Sequence, residues 1–183
     1  MTQAAPSPRA PLVVIDLQTV MFDGSAGGTI HDAGGMVERV RTLLSWARAS
    51  GRKVAFIRHD GPEGDPLAPG AAGWPVWPAL GQLADEPTFS KSVGDAFSNP
   101  EFGTWVREQH ADEVLLLGAQ SDYCVAATVK GALAGGLAVT VVSDTHSTVD
   151  AEGETAAGII ARKNAEFAAA GARLVDARTL VER

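Results

Sequence analysis

Four short apolar runs set the rhythm of the chain: residues 12–16 (Leu-Val-Val-Ile-Asp), 53–57 (Lys-Val-Ala-Phe-Ile), 113–117 (Glu-Val-Leu-Leu-Leu) and 138–142 (Ala-Val-Thr-Val-Val). They are continuous rather than alternating, the pattern of strands buried on both faces in a parallel sheet covered by helices. Between them the apolar residues fall at helical spacing. One helix is predicted over 32–50, with Met36, Val37, Val40, Leu43, Leu44 and Ala47 on one face. Others are predicted over 99–109, opening at Asn99-Pro100, over 122–134, closing at Gly135-Gly136, and over 152–170, closing at Gly171. Those flanking residues are the capping signals expected at helix ends. Weaker strands at 88–91 and 173–175 and a terminal helix at 176–182 complete the series. The alternation predicts an α/β fold, a three-layer α/β/α sandwich with right-handed crossovers around a mainly parallel sheet of roughly six strands.

The segment from His59 to Gly81 breaks this rhythm. It is rich in proline and glycine, carries Trp74 and Trp77, and reads as a long loop of functional character. With 183 residues and 45% hydrophobic content, the chain suits one domain spanning 1–183, with no linker and no repeat. The apolar run after Met1–Ala10 reaches only from Leu12 to Ile15 before Asp16, too short for a signal peptide or a membrane span. A net charge of −7 without a basic cluster argues against nucleic acid, leaving a small molecule or a second copy of the chain as partner. The single cysteine excludes an internal disulfide framework and fits a cytoplasmic setting.

In open α/β sheets ligands bind at the carboxyl ends of the strands. The residues there are Asp16, the pair Arg58-His59, Lys91, the stretch from Gly118 to Cys124, and Asp144 with His146. Cys124 opens an alanine-rich helix directly after a strand and a glycine. A thiol at a helix N-terminus is expected to favour its thiolate, although a lone cysteine is also a common buried hydrophobe. Attack on an unreactive carbonyl calls for a thiolate, a nearby ammonium and a carboxylate that moves the proton. Cys124, Lys91 and Asp16 fit those roles. Taken singly, Asp16 is also a plausible strand-end cap and Lys91 a plausible solvated side chain.

Several motifs carry a family resemblance. Val13-Val14-Ile15-Asp16-Leu17-Gln18, Phe89-Ser90-Lys91-Ser92 followed by Ala96-Phe97, Gly118-x-x-Ser121-Asp122-x-Cys124-Val125, and Gly136-x-x-Val139-x-Val141-Val142-x-Asp144 together resemble the isochorismatase-like cysteine hydrolases. The match runs in order over nearly the whole chain. That superfamily includes nicotinamidases, N-carbamoyl amide hydrolases and other amidases, and Ser143–Thr148 resembles its nicotinamidase-related branch. The resemblance implies Asp16 as proton acceptor and donor, Lys91 as the cation of the site and Cys124 as nucleophile. It further implies a non-proline cis peptide between Ala119 and Gln120, and an oxyanion hole from the N–H groups of Gln120 and Cys124. Dimers or tetramers are the assemblies it implies.

One departure concerns metal. Nicotinamidases of the family bind a metal through an aspartate and histidines after the second strand, whereas residues 58–65 here hold a single histidine, His59. No obligatory metal and no cofactor are therefore expected. Substrate contacts are expected from Met21 and Phe22, from His59, Trp74 and Trp77, from Tyr123 beside the candidate nucleophile, and from His146, with core packing an equal alternative for each aromatic and a subunit interface or a satisfied structural role the alternative for His146. Trp46 and Trp105 lie within helices and are expected in the core.

The expected reaction is cleavage of an amide or cyclic amide bond of a small molecule. Alternatives are vinyl-ether hydrolysis of the isochorismatase type and a non-catalytic small-molecule-binding member of the fold. A dehalogenase-type phosphatase is disfavoured because Gln18 stands where its second aspartate would, and a nucleotide cradle because Gly24-Ser25-Ala26-Gly27-Gly28 lacks the phosphate-binding spacing.

Overall fold

Each apolar run forms a strand. The structure, a computed structural model, describes residues 6–182. Residues 1–5 of the Met1–Ala10 segment, weighed above as a leader, lie outside the described residues. The strands are β1 (Leu12–Ile15), β2 (Val54–His59), β3 (Thr88–Lys91), β4 (Glu113–Ala119), β5 (Ala138–Ser147) and β6 (Arg173–Val175). They form one sheet in the order β3-β2-β1-β4-β5-β6, and every pairing is parallel. The helices are α1 (Ala33–Ala49), α2 (Pro100–Glu108), α3 (Ala126–Ala134), α4 (Ala156–Ala169) and α5 (Ala177–Val181).

The strands are apolar throughout because successive side chains enter opposite layers. Leu12, Val14, Phe56, Leu115 and Leu117 pack with Met36, Val40, Leu43 and Leu44 of α1 and Leu180 of α5. Val13, Ile15, Ile57, Val114 and Leu116 pack on the other side with Phe102 and Val106 of α2, Val129 of α3 and Phe167 of α4. Each large side chain buried in this way contributes about 1.5–3 kcal/mol. Trp46 and Trp105 are partly buried against these two layers. No helix among the described residues is long and apolar enough to cross a membrane.

Three local features depart from the pattern expected of the sequence, and all three shape the site. β5 does not stop near residue 142; it continues through the polar stretch to Ser147. A bulge between Leu116 and Gly118 resets the register, so that Gly118 pairs with His146 and Ala119 with Ser147. Gly118 has φ 138°, and a Cβ there would run into the carbonyl of Ile15 on β1. The predicted helix over 122–134 is two pieces, a π-helical turn at Ser121–Val125 followed by α3. In the long loop, β2 takes in His59, Pro78–Leu80 form one 3₁₀ turn, and Val76 pairs antiparallel with Gln18.

Candidate active site

The strand order brings the charged strand ends together. β1 lies between β2 and β4, so Asp16 after β1 is flanked by His59 ending β2, then Lys91 ending β3, and on the other side by the turn that follows β4. Asp16 itself turns left-handed, with φ 48°, as the chain leaves the strand. Such a conformation is uncommon outside glycine and marks a position held by its surroundings.

Lys91 is the hub. Its Nζ lies 2.7 Å from Asp16 Oδ2, 3.3 Å from Cys124 Sγ and 3.3 Å from His59 Nδ1. An ammonium has three protons, and here it has three acceptors. His59 Nδ1 must therefore accept, which leaves the imidazole proton on Nε2. Both side chains of the Asp16–Lys91 ion pair are buried. Burying two charges is costly unless they are paired, as these are. Among the described residues Asp16 Oδ1 is buried with no N–H or O–H partner, so it stands open to the thiol.

Burial pushes the Cys124 thiol up to about 12; the charge of Asp16 and its acceptance of the S–H proton add to this, and the Lys91 ammonium opposes it. This corrects the expectation of a resting thiolate. A helix N-terminus favours the anion by a fraction of what desolvation beside a carboxylate costs. Cys124 is held as a thiol, with the open oxygen of Asp16 beside it.

Behind Cys124 the backbone is tightly organised. The Ala119–Gln120 peptide is cis, and the Gln120 carbonyl accepts from the N–H groups of Tyr123 and Val125 at 3.1 and 3.2 Å. Gln120 also lines a cleft of about 610 Å³ formed by Val20, Met21, residues 26–30, Asp65 to Leu67, Val149 and Asp150.

The other expected contacts are distributed differently. Phe22 and Trp77 stack on each other, with ring centroids 5.3 Å apart, against the core layer below. Trp74 lies under the Arg58 guanidinium at 3.5 Å and donates to Asp60 Oδ1. Tyr123 is exposed. His146 corrects the expectation of a substrate contact: it is 2% exposed, and both ring nitrogens are engaged, by Ser121 and Asn164.

Metal ligation finds little room. A carboxylate oxygen of Asp16, a ring nitrogen of His59 and the sulfur of Cys124 lie within 4.8 Å of one another, but all three are bonded to the Lys91 ammonium, which supplies the cation there. The acids that follow β2 turn elsewhere, Asp60 to Trp74 and Asp65 to the N–H of Leu67. They do not fit the metal set of a nicotinamidase.

Gln18 is a site residue that its sequence position did not reveal. Fully buried, it donates to the carbonyls of His59 and Trp74 and accepts from the N–H of His59. It thereby holds the start of the long loop against β1. An amide just past Asp16, beside the buried Leu17, was the available signal, since a buried amide must be bonded.

A streptothricin hydrolase of Streptomyces noursei is 32% identical over 149 residues, covering 81% of this chain and 58% of that protein. The chain thus spans little more than half the length of that relative. The nicotinamidase of Escherichia coli K12 is 27% identical, covering 91% of this chain and 94% of that protein. The crystal structure of an isochorismatase from Pseudomonas putida superposes with a TM-score of 0.88 at 26% identity, covering 97% of this chain and 94% of the other. The isochorismatase domain profile matches residues 10–176, and the chain belongs to that family.

Proposed function

We propose that the protein is a cysteine hydrolase that cleaves a carbon–nitrogen bond of a small amide through a thioester acyl-enzyme. One observation carries the reading: a single buried ammonium holds both the carboxylate and the sulfur, while the second carboxylate oxygen stays open. The relatives support it, since a streptothricin hydrolase and a nicotinamidase are among them.

As the Cys124 sulfur bonds to the substrate carbonyl, its proton passes to Asp16 Oδ1. The oxyanion is held by the N–H groups of Gln120 and Cys124; losing one such donor typically costs about 2.7–4 kcal/mol. Asp16 then protonates the nitrogen as the C–N bond breaks, and the amine leaves. Water attacks the thioester, giving its proton to Asp16, and the returning thiolate recovers that proton. Lys91 keeps Asp16 in position throughout and balances the negative charge. Because the thiol rests protonated, proton transfer accompanies attack rather than preceding it. A vinyl-ether hydrolase would leave this thiol without a role. A cytoplasmic setting suits the free catalytic thiol, and a dimer or tetramer is the assembly we infer from the family resemblance.

The test is ammonia or amine release over a panel of small amides, lactams and ureido acids, with Cys124→Ala alongside. Turnover on at least one class, lost in the variant, is expected. Full turnover in Cys124→Ala would sink the thioester route.

A further inference from the structure

A buried chain of hydrogen bonds behind the nucleophile is not used by this mechanism. Asn164 on α4 donates through Nδ2 to the carbonyl of Ser143 at 3.0 Å. A carbonyl can only accept, so the amide orientation is set and Oδ1 faces His146 Nε2, 2.9 Å away. Oδ1 in turn can only accept, so Nε2 carries the imidazole proton. The lone pair then sits on Nδ1, and the Ser121 hydroxyl, 2.8 Å away and fully buried, must donate to it. Every direction in the chain follows from the backbone carbonyl at its far end.

Ser121 is the first residue after Gln120 and begins the π-helical turn that carries Cys124. The same strand that supplies His146 also pairs through its backbone with Gly118 and Ala119, just before the cis peptide. A second side-chain bond, from Thr148 Oγ1 to Asp122 Oδ1 at 2.7 Å, ties down the next residue of the turn. β5 therefore grips the nucleophile segment on both sides of Gln120.

We propose that Asn164, His146 and Ser121 form a directional relay that orients the Gln120–Cys124 turn, with neutral His146 as its working form. These are positioning residues: none of them touches the thiol. The proposal rests on Cys124 being the nucleophile.

Protonation of His146 would put a second donor at Nδ1 and leave the buried Ser121 hydroxyl proton without its acceptor. Burial opposes it as well, against smaller contributions from Asn164 and Asp144 that favour it. Asn164 and Phe167 face the ring from α4, the latter edge-on at 5.7 Å. Asp144 lies on the same strand, and His31, Asp32 and Arg39 line the groove outside. Both acids there are paired with Arg39. Burial accordingly holds His146 below its ordinary value.

Two readouts on the full chain test the relay: kcat and KM on an amide turned over in the panel above, and the rate of Cys124 alkylation by iodoacetamide. Alkylation is specific because Cys124 is the only cysteine. Variants Ser121→Ala, His146→Leu and His146→Gln are compared, with thermal midpoints recorded. A glutamine reproduces one acceptor and one donor, so it should restore what leucine removes. Displacement of a reacting group costs up to about 10²-fold, so kcat should fall about 10–100-fold in Ser121→Ala and His146→Leu, with KM within about threefold. Ser121→Ala combined with His146→Leu should be no worse than either single change, and His146→Gln should recover most of the loss. Alkylation should change by at least about threefold in the first two variants and stay near wild type in the glutamine variant. Wild-type kcat and alkylation in Ser121→Ala, which keeps the core packing even where His146→Leu fails to fold, would overturn the relay. A glutamine variant as impaired as leucine would overturn it too. Neither result touches the thioester route, which stands or falls on Cys124→Ala.

Discussion

Two buried carboxylates sit at opposite ends of the same sheet, Glu113 at the start of β4 and Asp16 just beyond the end of β1. Glu113 is saturated. One of its oxygens accepts from Thr140 Oγ1 at 2.6 Å and from the Arg173 guanidinium, and the other accepts from the N–H of Ser7 at 2.7 Å. Asp16 is half-satisfied: Oδ2 takes the Lys91 ammonium, while Oδ1 has no N–H or O–H partner among the described residues. Both groups are ion-paired, so pairing alone does not separate structure from chemistry. What separates them is an open acceptor beside a proton that can move.

Asp16 should respond most strongly to substitution. In Asp16→Asn the acceptor is lost, and amide turnover should fall about 10²–10⁴-fold, the usual contribution of a general acid–base group. The same change removes the carboxylate that raises the thiol while leaving the Lys91 ammonium that lowers it. Cys124 should then ionise below about 12, and its alkylation by iodoacetamide at mildly alkaline pH should speed up as turnover collapses. Opposite movement of the two rates marks a carboxylate that holds the proton. A variant slow in both would make Asp16 a packing residue.

A smaller effect is expected at Glu113. Glu113→Gln weakens the contact with Arg173 and puts an amide donor among donors, so the protein should lose about 1–3 kcal/mol in denaturant unfolding. Turnover by the folded variant should match wild type, since the site lies at the far end of the strands. Were turnover to drop as it does in Asp16→Asn, the division between the two ends of the sheet would fail.

These two ends were not equally readable in the sequence. The strands were legible because each is apolar on both faces, and the strand-end rule then singled out Asp16, Lys91 and Cys124, which the structure brings into contact. His59 joined them through the same rule. The state of the thiol was not legible: a helix N-terminus can be seen in sequence, but depth of burial and distance to Asp16 cannot. The end of β5 was missed for a related reason. Ser143-Asp144-Thr145-His146-Ser147 reads as a polar loop, yet its side chains find partners inside the fold, His146 on Ser121 and Asn164 and Ser147 on the carbonyl of His31. Such satisfaction comes from segments distant in the chain, and no local pattern announces it.

His146 offers the finest test of the comparison, because it is ionisable and saturated like Glu113 but lies next to the reactive turn. Its folded value is held below the ordinary 6.5 by burial, against smaller opposing contributions from Asn164 and Asp144. Above that ordinary value the imidazole is neutral in both the folded and unfolded chain, and its contribution to stability is fully present. As the pH falls through it, the unfolded chain binds a proton that the native protein refuses, so stability declines until the depressed native value is reached. Thermal midpoints of wild type should therefore drop more than those of His146→Gln between about pH 7.5 and about pH 5, since glutamine cannot titrate. The acids with lowered values, such as Asp32 and Asp176, titrate equally in both proteins and cancel in the difference. Parallel midpoint curves would mean that the imidazole takes up its proton in the native fold without cost. In that event Ser121 would have another acceptor for its hydroxyl, and the turn beneath Cys124 would be held by the Asp122–Thr148 bond and the β4–β5 ladder alone.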